Sequence, residues 1–120
     1  MYKVTVITPS YNSAKFIEIC IKSIAAQRSD TFKVRHIIMD GGSTDETAEV
    51  VKKYLGEDTE FISKRDKGPA DAINQGFALS NSDYVCWLNA DDVYEPGALE
   101  RAASVLDANK KASFCFGNCP

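Results

Sequence analysis

The sequence predicts an α/β fold, a mostly parallel sheet with helices on both faces. Two observations carry that expectation: short stretches rich in Val and Ile alternate with longer stretches of helical period, and polar or glycine-containing turns follow the apolar stretches. A third is the unbroken apolar and aromatic run Tyr84 to Leu88, which reads as a strand covered on both faces, as in a parallel sheet. Units of this kind are joined by right-handed crossovers and bind ligands in the crevice at the carboxyl ends of their strands.

Composition bounds what such a fold can serve. The 120 residues suit one domain, and 44% hydrophobic with 26% charged residues is close to the average for a globular chain. A net charge of -3 without a cluster of Lys or Arg gives no electrostatic footprint for nucleic acid or an anionic bilayer. No apolar run approaches the ~18 residues of a transmembrane helix, and the N-terminus enters a strand without a charged leader or cleavage site. A cytoplasmic protein is expected. Cys20, Cys86, Cys115 and Cys119 contain no Cys-x-x-Cys pair, which argues against zinc and against structural disulfides.

Taken in order, Lys3 to Thr8 is the first strand, and Pro9, which lacks a backbone donor, ends its ladder. Ile17, Cys20, Ile21 and Ile24 recur at helical spacing, with Asn12 or Ser13 as N-cap. The turn between them lacks Gly-x-Gly-x-x-Gly, against a classical dinucleotide-binding unit. Tyr11 in that turn either faces a ligand or packs over the sheet edge. His36 to Met39 forms a second strand, within which His36 packs or hydrogen-bonds. After it, Ser43 and Glu46 have the spacing of a capping box, in which each side chain satisfies an amide at the start of a helix. That helix carries Thr47, Val50, Val51, Tyr54 and Leu55 on one face and stops at Gly56.

Glu60 to Ser63 is the third strand. The charged loop Lys64-Arg-Asp-Lys-Gly then runs into a helix that Pro69 opens, with Ala70, Ile73 and Phe77 as its buried stripe and Asp71 and Asn74 on one side. Asn81 and Ser82 turn the chain into Tyr84 to Leu88. A last helix carries Leu99, Ala103 and Leu106, with Pro96 near its start, and Ser113 to Phe116 reads as one more strand.

Polar strand ends are where chemistry is expected. Asp40 ends a strand and precedes two permissive glycines, where a base or ribose can approach. Lys67 and Gly68 precede a helix N-terminus, whose dipole and exposed amides attract anions, although three basic residues in a loop are more often just solvated. Asn89, Asp91 and Asp92 follow the Tyr84–Leu88 run, where hard oxygen ligands suit a divalent cation and, through it, a diphosphate; Asp and Asn are also common in turns and helix caps. Along one rim of the predicted sheet, all these motifs converge, which chance explains less well than any motif alone.

Four segments together resemble the N-terminal part of a family 2 glycosyltransferase of the GT-A fold. They are Val-Ile-Thr-Pro-Ser-Tyr-Asn at 6–12, Ile-Met-Asp-Gly-Gly-Ser-Thr-Asp at 38–45, Asp-Lys-Gly-Pro-Ala-Asp-Ala-Ile-Asn-Gln-Gly at 66–76 and Leu-Asn-Ala-Asp-Asp at 88–92. The resemblance covers essentially the whole chain. It implies that Pro9, Tyr11 and Asp40 lie around the nucleotide base and ribose. Asp91 matches the final aspartate of the Asp-x-Asp element that holds Mn²⁺ or Mg²⁺, with Asp92 in support. A donor-binding set of Pro9, Tyr11, Asn12, Asp40, Gly41, Lys67, Gly68, Asp71, Asn74, Asn89 and Ala90 follows. Two positions depart from the pattern: Gly41 stands where many members carry a second acid, which removes a side-chain contact to the base, and Asn89 replaces the first acid of Asp-x-Asp.

The reaction implied is inverting transfer of a sugar from a nucleotide-diphosphate donor to a glycan or lipid-linked acceptor hydroxyl, in polysaccharide or cell-surface glycan synthesis. In the family the general base is a carboxylate well past the metal motif, so it is expected beyond Pro120, with residues 1–120 as the donor-binding portion of a longer domain. The full-length protein is then cytoplasmic or peripheral at the inner face of a membrane. Two alternatives stay open: a non-catalytic nucleotide-binding module, and a nucleotidyltransferase of related architecture, whose Gly-rich opening loop is absent. Phe114 and Phe116 on one face of a terminal strand predict self-association into a homo-oligomer.

Overall fold

Within residues 2–109, which the computed structural model describes, each apolar stretch becomes a strand and each periodic stretch a helix. The order is β1 (Val4–Ser10), α1 (Ile17–Ala25), β2 (Val34–Asp40), α2 (Thr47–Lys52), β3 (Thr59–Ser63), α3 (Pro69–Ala78), β4 (Tyr84–Trp87) and α4 (Ala98–Ala108). The strands form one sheet in the order β3-β2-β1-β4, and every pairing is parallel. Val4 sits opposite Val34 on one side and Tyr84 on the other. The chain thus walks outward from β1 to β3 and returns through α3 to set β4 against the far side of β1. That reversal makes the carboxyl ends of β1 and β4 a topological switch point, the place where open α/β sheets bind ligands.

Period-two alternation divides the core between the two faces. Val4 and Val6 pack with Cys20 and Ile24 of α1 and with Leu99 and Ala103 of α4, while Ile38 packs with Ile17, Ile21 and Val51. On the opposite face Ile7, Ile37 and Met39 meet Ala72 of α3. Helices therefore cover both faces, as expected. His36 is wholly buried, with Nε2 2.7 Å from Thr8 Oγ1, and it packs in the core. Burial pushes its pKa down to about 3, so the ring is neutral in the fold.

Several local expectations are corrected. Pro9 ends only the ladder to β4, which stops at Ile7 opposite Trp87, whereas pairing with β2 continues to Ser10 opposite Asp40. Leu88 N–H donates to Ile7 O, so the missing Pro9 N–H points toward β4 and away from β2. Neither Asn12 nor Ser13 caps α1; Phe16 precedes it, and no side-chain cap is made. Ser43 and Glu46 form no capping box, because Ser43 Oγ turns back to Asp40 and Asp45 Oδ1 accepts from Thr47 N–H instead.

Helix α2 ends at Lys52, short of Gly56, and Leu55 is left 45% exposed. On α3 the buried stripe is Ala72 and Gly76, with Ala70 exposed. The reason is close approach: a Cβ on Gly76 would lie 2.6 Å from Ile7 Cγ2, so the smallest residues face the sheet. Tyr84 to Leu88 is not covered on both faces. Tyr84, Cys86 and Leu88 pack against the core, while Val85 and Trp87 are 43% and 54% exposed. Among the described residues β4 is the outer strand of the sheet, and α3 sits over β1 and β2 rather than over β4.

The strand expected at Ser113–Phe116 lies outside the described residues, as do Cys115 and Cys119. Neither Cys20 nor Cys86 is in a disulfide. Among the described residues no helix is long and apolar enough to cross a membrane.

Candidate functional site

Loops from the carboxyl ends of all four strands surround a crevice of about 700 Å³. The end of β1 and the loop after it contribute Pro9, Tyr11 and Asn12, and the loop after β2 contributes Gly41. Arg65, Asp66, Gly68 and Pro69 come from the β3–α3 loop and the start of α3; Asn89, Ala90 and Asp91 come from the loop after β4. The convergence expected from sequence is present, and it falls on the switch point. Tyr11 is 61% exposed, so its ring is not a core aromatic.

Asp40 lies beneath the crevice and is 2% exposed. Its Oδ1 accepts hydrogen bonds from Ser10 Oγ at 3.1 Å and Ser43 Oγ at 2.5 Å. Its Oδ2 accepts from the Gly42 and Ser43 amides at 3.1 and 2.8 Å and from Ser63 Oγ at 2.8 Å. Burial pushes this carboxyl up, but the donors of Ser43, Ser63 and Ser10 outweigh it and hold the group below the ordinary carboxylate range. One carboxylate therefore ties together the ends of β1, β2 and β3.

The β1 and β2 loops are stitched a second time. Asn12, at φ 48°, offers Oδ1 to the amides of Thr44 and Asp45 at 2.8 and 3.3 Å, while its own amide donates to Ser43 Oγ at 2.8 Å. Ser13 N–H donates to Thr47 Oγ1, and Ala14 N–H to Asp45 Oδ2. The polar residues that sequence reading placed at helix caps serve here to fix one loop against the next.

At the start of α3 the amides expected to meet a phosphate are committed elsewhere. Asp66 Oδ1 accepts from Gly68 N–H at 2.9 Å, and Asp71 Oδ2 accepts from Lys67 N–H at 2.9 Å and from Gln75 Nε2 at 3.0 Å. The Lys67 amide, ahead of Gln75, holds the Asp71 carboxyl below its usual range. Gly68 takes φ 115°, a conformation that glycine reaches without a Cβ clash, and this lets the chain turn abruptly into the helix.

After β4, Asp92 N–H donates to Asn89 O at 3.0 Å and closes a turn. Ala90, 6% exposed, is inserted among Ile17, Ile21, Ile38 and Val51 and anchors that turn to the core. Asn89 and Asp91 are left at the crevice with exposed oxygens; Asp92 is exposed but is not among the crevice walls. The turn-forming and ligand-presenting readings of these residues are thus compatible. Burial, with the charges of Asp92 and Asp91 nearby, pushes the Cys20 thiol up to about 11 and leaves it protonated.

The family model described as Glycosyl transferase family 2 matches residues 5–118. This chain belongs to that family. Among the relatives of this family 2 chain is a PGL/p-HBAD biosynthesis glycosyltransferase of Mycobacterium bovis (strain BCG / Pasteur 1173P2), 32% identical over 118 residues, with 95% of this chain and 45% of the relative covered. An uncharacterized glycosyltransferase of Nostoc sp. is 31% identical over 110 residues, covering 89% of this chain and 34% of that one. The chain spans less than half the length of these curated relatives.

Solved structures share the fold. Staphylococcus aureus TarS 1-349 in complex with UDP-GlcNAc matches with a TM-score of 0.81 at 27% identity, over 90% of this chain and 32% of TarS. The mannosyltransferase PcManGT of Pyrobaculum calidifontis, in complex with GDP-Man and Mn²⁺, matches with a TM-score of 0.77 at 26% identity, over 87% of this chain and 32% of that one. The family 2 chain has the GT-A architecture expected from its sequence.

Of the residues expected at the site, Pro9, Tyr11, Asn12, Gly41, Gly68, Asn89, Ala90 and Asp91 line the crevice. Asp40 lies below it, and Lys67, Asp71, Asn74 and Asp92 are not among its walls. Sequence reading missed Ser10, Ser13, Phe16, Arg65, Asp66, Pro69 and Ala72. Asp66 was within reach, because an aspartate two residues before a glycine is the pattern of an Asx turn. Nothing local in the sequence marks Phe16 as a wall.

Proposed function

We propose that residues 1–120 form the donor-binding portion of an inverting glycosyltransferase that moves a sugar from a nucleotide-diphosphate donor to an acceptor hydroxyl. The observation that carries this reading is the meeting of four strand-end loops at the switch point between β1 and β4, with Asn89 and Asp91 lining the β4 side. Family membership and the UDP-GlcNAc and GDP-Man complexes of TarS and PcManGT support it.

In this reading Pro9, Tyr11, Asn12 and Gly41 receive the base and ribose, and Asp40 holds their loops in place. Asn89 and Asp91, with Asp92 beside them, hold Mn²⁺ or Mg²⁺. Their chemistry fits: they are hard oxygen donors on an exposed turn. An ion of this class takes one or two carboxylates and completes its shell with phosphate and water oxygens. When bound, the cation supplies neutralisation of the negative charge that grows on the departing diphosphate. Lys67, between the crevice-lining Asp66 and Gly68, is assigned to the sugar-diphosphate together with Asp71 and Asn74 by the family resemblance.

Transfer forms a bond from the acceptor oxygen to the anomeric carbon as the bond to the diphosphate breaks, and the acceptor proton passes to a general base. We place that base beyond Pro120, in the part of the domain that the longer relatives carry outside the matched region. The acceptor is a glycan or a lipid-linked sugar, and the protein works in the cytoplasm or at the inner face of a membrane.

Titration of the chain with Mn²⁺ and a panel of nucleoside diphosphates tests the reading. Metal-dependent binding is expected, and Asp91→Ala should abolish the metal dependence. Binding that is equally strong in Asp91→Ala would remove Asp91 from the metal site.

A further inference from the structure

Gly41 and Asp66 come from different loops, yet they share one wall of the crevice. A Cβ built on Gly41 would lie 3.0 Å from Asp66 Oδ2, 3.1 Å from Oδ1 and 3.3 Å from Cγ. The Asp66 carboxylate therefore lies across the bare face of Gly41 and occupies the space that a side chain at position 41 would enter. Gly41 has an ordinary negative φ, so its want of a side chain serves the space and not the backbone.

The two oxygens of Asp66 are not equivalent. Oδ1 accepts from Gly68 N–H at 2.9 Å and closes the turn into α3. Oδ2 accepts no hydrogen bond among the described residues. An ionised carboxylate only accepts, so a group entering beside Oδ2 must donate.

We infer that Asp66, reaching across Gly41, is the residue that selects the base of the donor, favouring one with a ring N–H on its pairing edge. Uracil and guanine carry that donor; cytosine and adenine present a ring nitrogen lone pair there, which the carboxylate repels. This inference rests on the nucleotide site proposed above. It assigns a carboxylate from the β3–α3 loop to the contact that the glycine at 41 leaves vacant.

The substitution Asp66→Asn separates the two oxygens. Asparagine keeps an oxygen for the Gly68 amide, so the turn survives, while the other atom changes from acceptor to donor. The chain and its variant are titrated, with Mn²⁺ present, against UDP, GDP, CDP, ADP and inorganic pyrophosphate. The expected result is that UDP or GDP binds about tenfold or more tightly than CDP and ADP. Asp66→Asn should shrink that ratio to about threefold or less through gains by CDP and ADP, with pyrophosphate affinity retained. Gly41→Ala, which pushes the carboxylate aside, should shrink the same ratio. An unchanged base preference in both variants overturns the inference, as does equal loss of all four nucleotides and pyrophosphate in Asp66→Asn. If the unmodified chain binds pyrophosphate but none of the nucleotides, the nucleotide site itself fails and the inference with it.

Discussion

Asp40 and His36 sit on the same strand and both end up buried, but they differ in how far the fold satisfies them. Asp40 has five donors around its two oxygens, so removing it orphans backbone amides that cannot turn elsewhere. Asp40→Ala is expected to lower unfolding free energy by roughly 3 kcal/mol, measured by denaturant titration. Asp40→Asn should cost only about 1 kcal/mol, because an amide oxygen can face the Gly42 and Ser43 N–H groups while the Ser10 and Ser43 hydroxyls rotate to accept. Equal losses in the two variants would show that the donors are not what matters. His36 governs acid sensitivity. Its pKa falls from an ordinary 6.5 to about 3 in the fold, so between those values the unfolded chain binds a proton that the folded chain does not. Stability is then unaffected above pH 6.5 and declines as pH falls below it, by up to about 1.4 kcal/mol per pH unit. Asp40, held below the ordinary carboxylate range, adds to the loss only at lower pH, as the carboxylate is protonated. His36→Gln should flatten unfolding free energy between pH 6.5 and about 5.

At the scale of elements, the spacing of α3 from the sheet depends on one missing methyl group. Gly76→Ala places a Cβ against Ile7 at 2.6 Å and is expected to destabilise by about 1–3 kcal/mol. Ile7→Ala in the same chain should recover part of that loss, because it removes the atoms being struck, and the two effects will not add. Strict additivity in thermal unfolding would mean that α3 shifts away instead. Helix α3 is legible as a helix from Pro69 and its periodicity, but its buried face only in part: Phe77 packs against the core as expected, while the fully buried positions are Ala72 and Gly76. Ala70, Ile73 and Phe77 are the more apolar set, but Ala72 and Gly76 are the ones small enough for this contact. The capping box at Ser43 failed for a related reason: its sequence spacing fits, but Asp40, held at the end of β2, takes the serine hydroxyl at 2.5 Å. Local patterns state which partners are available, and the element next in space decides which is used.

Taken as a whole molecule, four loops are held around the crevice from four different strands, so ligand binding should act on global stability. With Mn²⁺ and a preferred nucleoside diphosphate at about a hundredfold its Kd, unfolding free energy should rise by about 2.7 kcal/mol. EDTA should cancel the gain if the ion is part of the site; a gain that survives chelation would separate nucleotide binding from the metal. The sequence by itself determined the alternation of strands and helices, the parallel sheet covered on both faces and the polar strand ends that meet at the crevice, because periodicity and turn residues are local signals. It also marked Pro9, Tyr11, Asn12, Gly41 and Asn89 to Asp91 at the crevice. Only the tertiary structure decided that β4 is the outer of the described strands with Val85 and Trp87 exposed, that Asp40 lies beneath the crevice and not among its walls, and that Asp66 fills the space beside Gly41. Those outcomes depend on strand order and on contacts between loops about 25 residues apart in sequence, which the pattern of neighbouring residues does not encode.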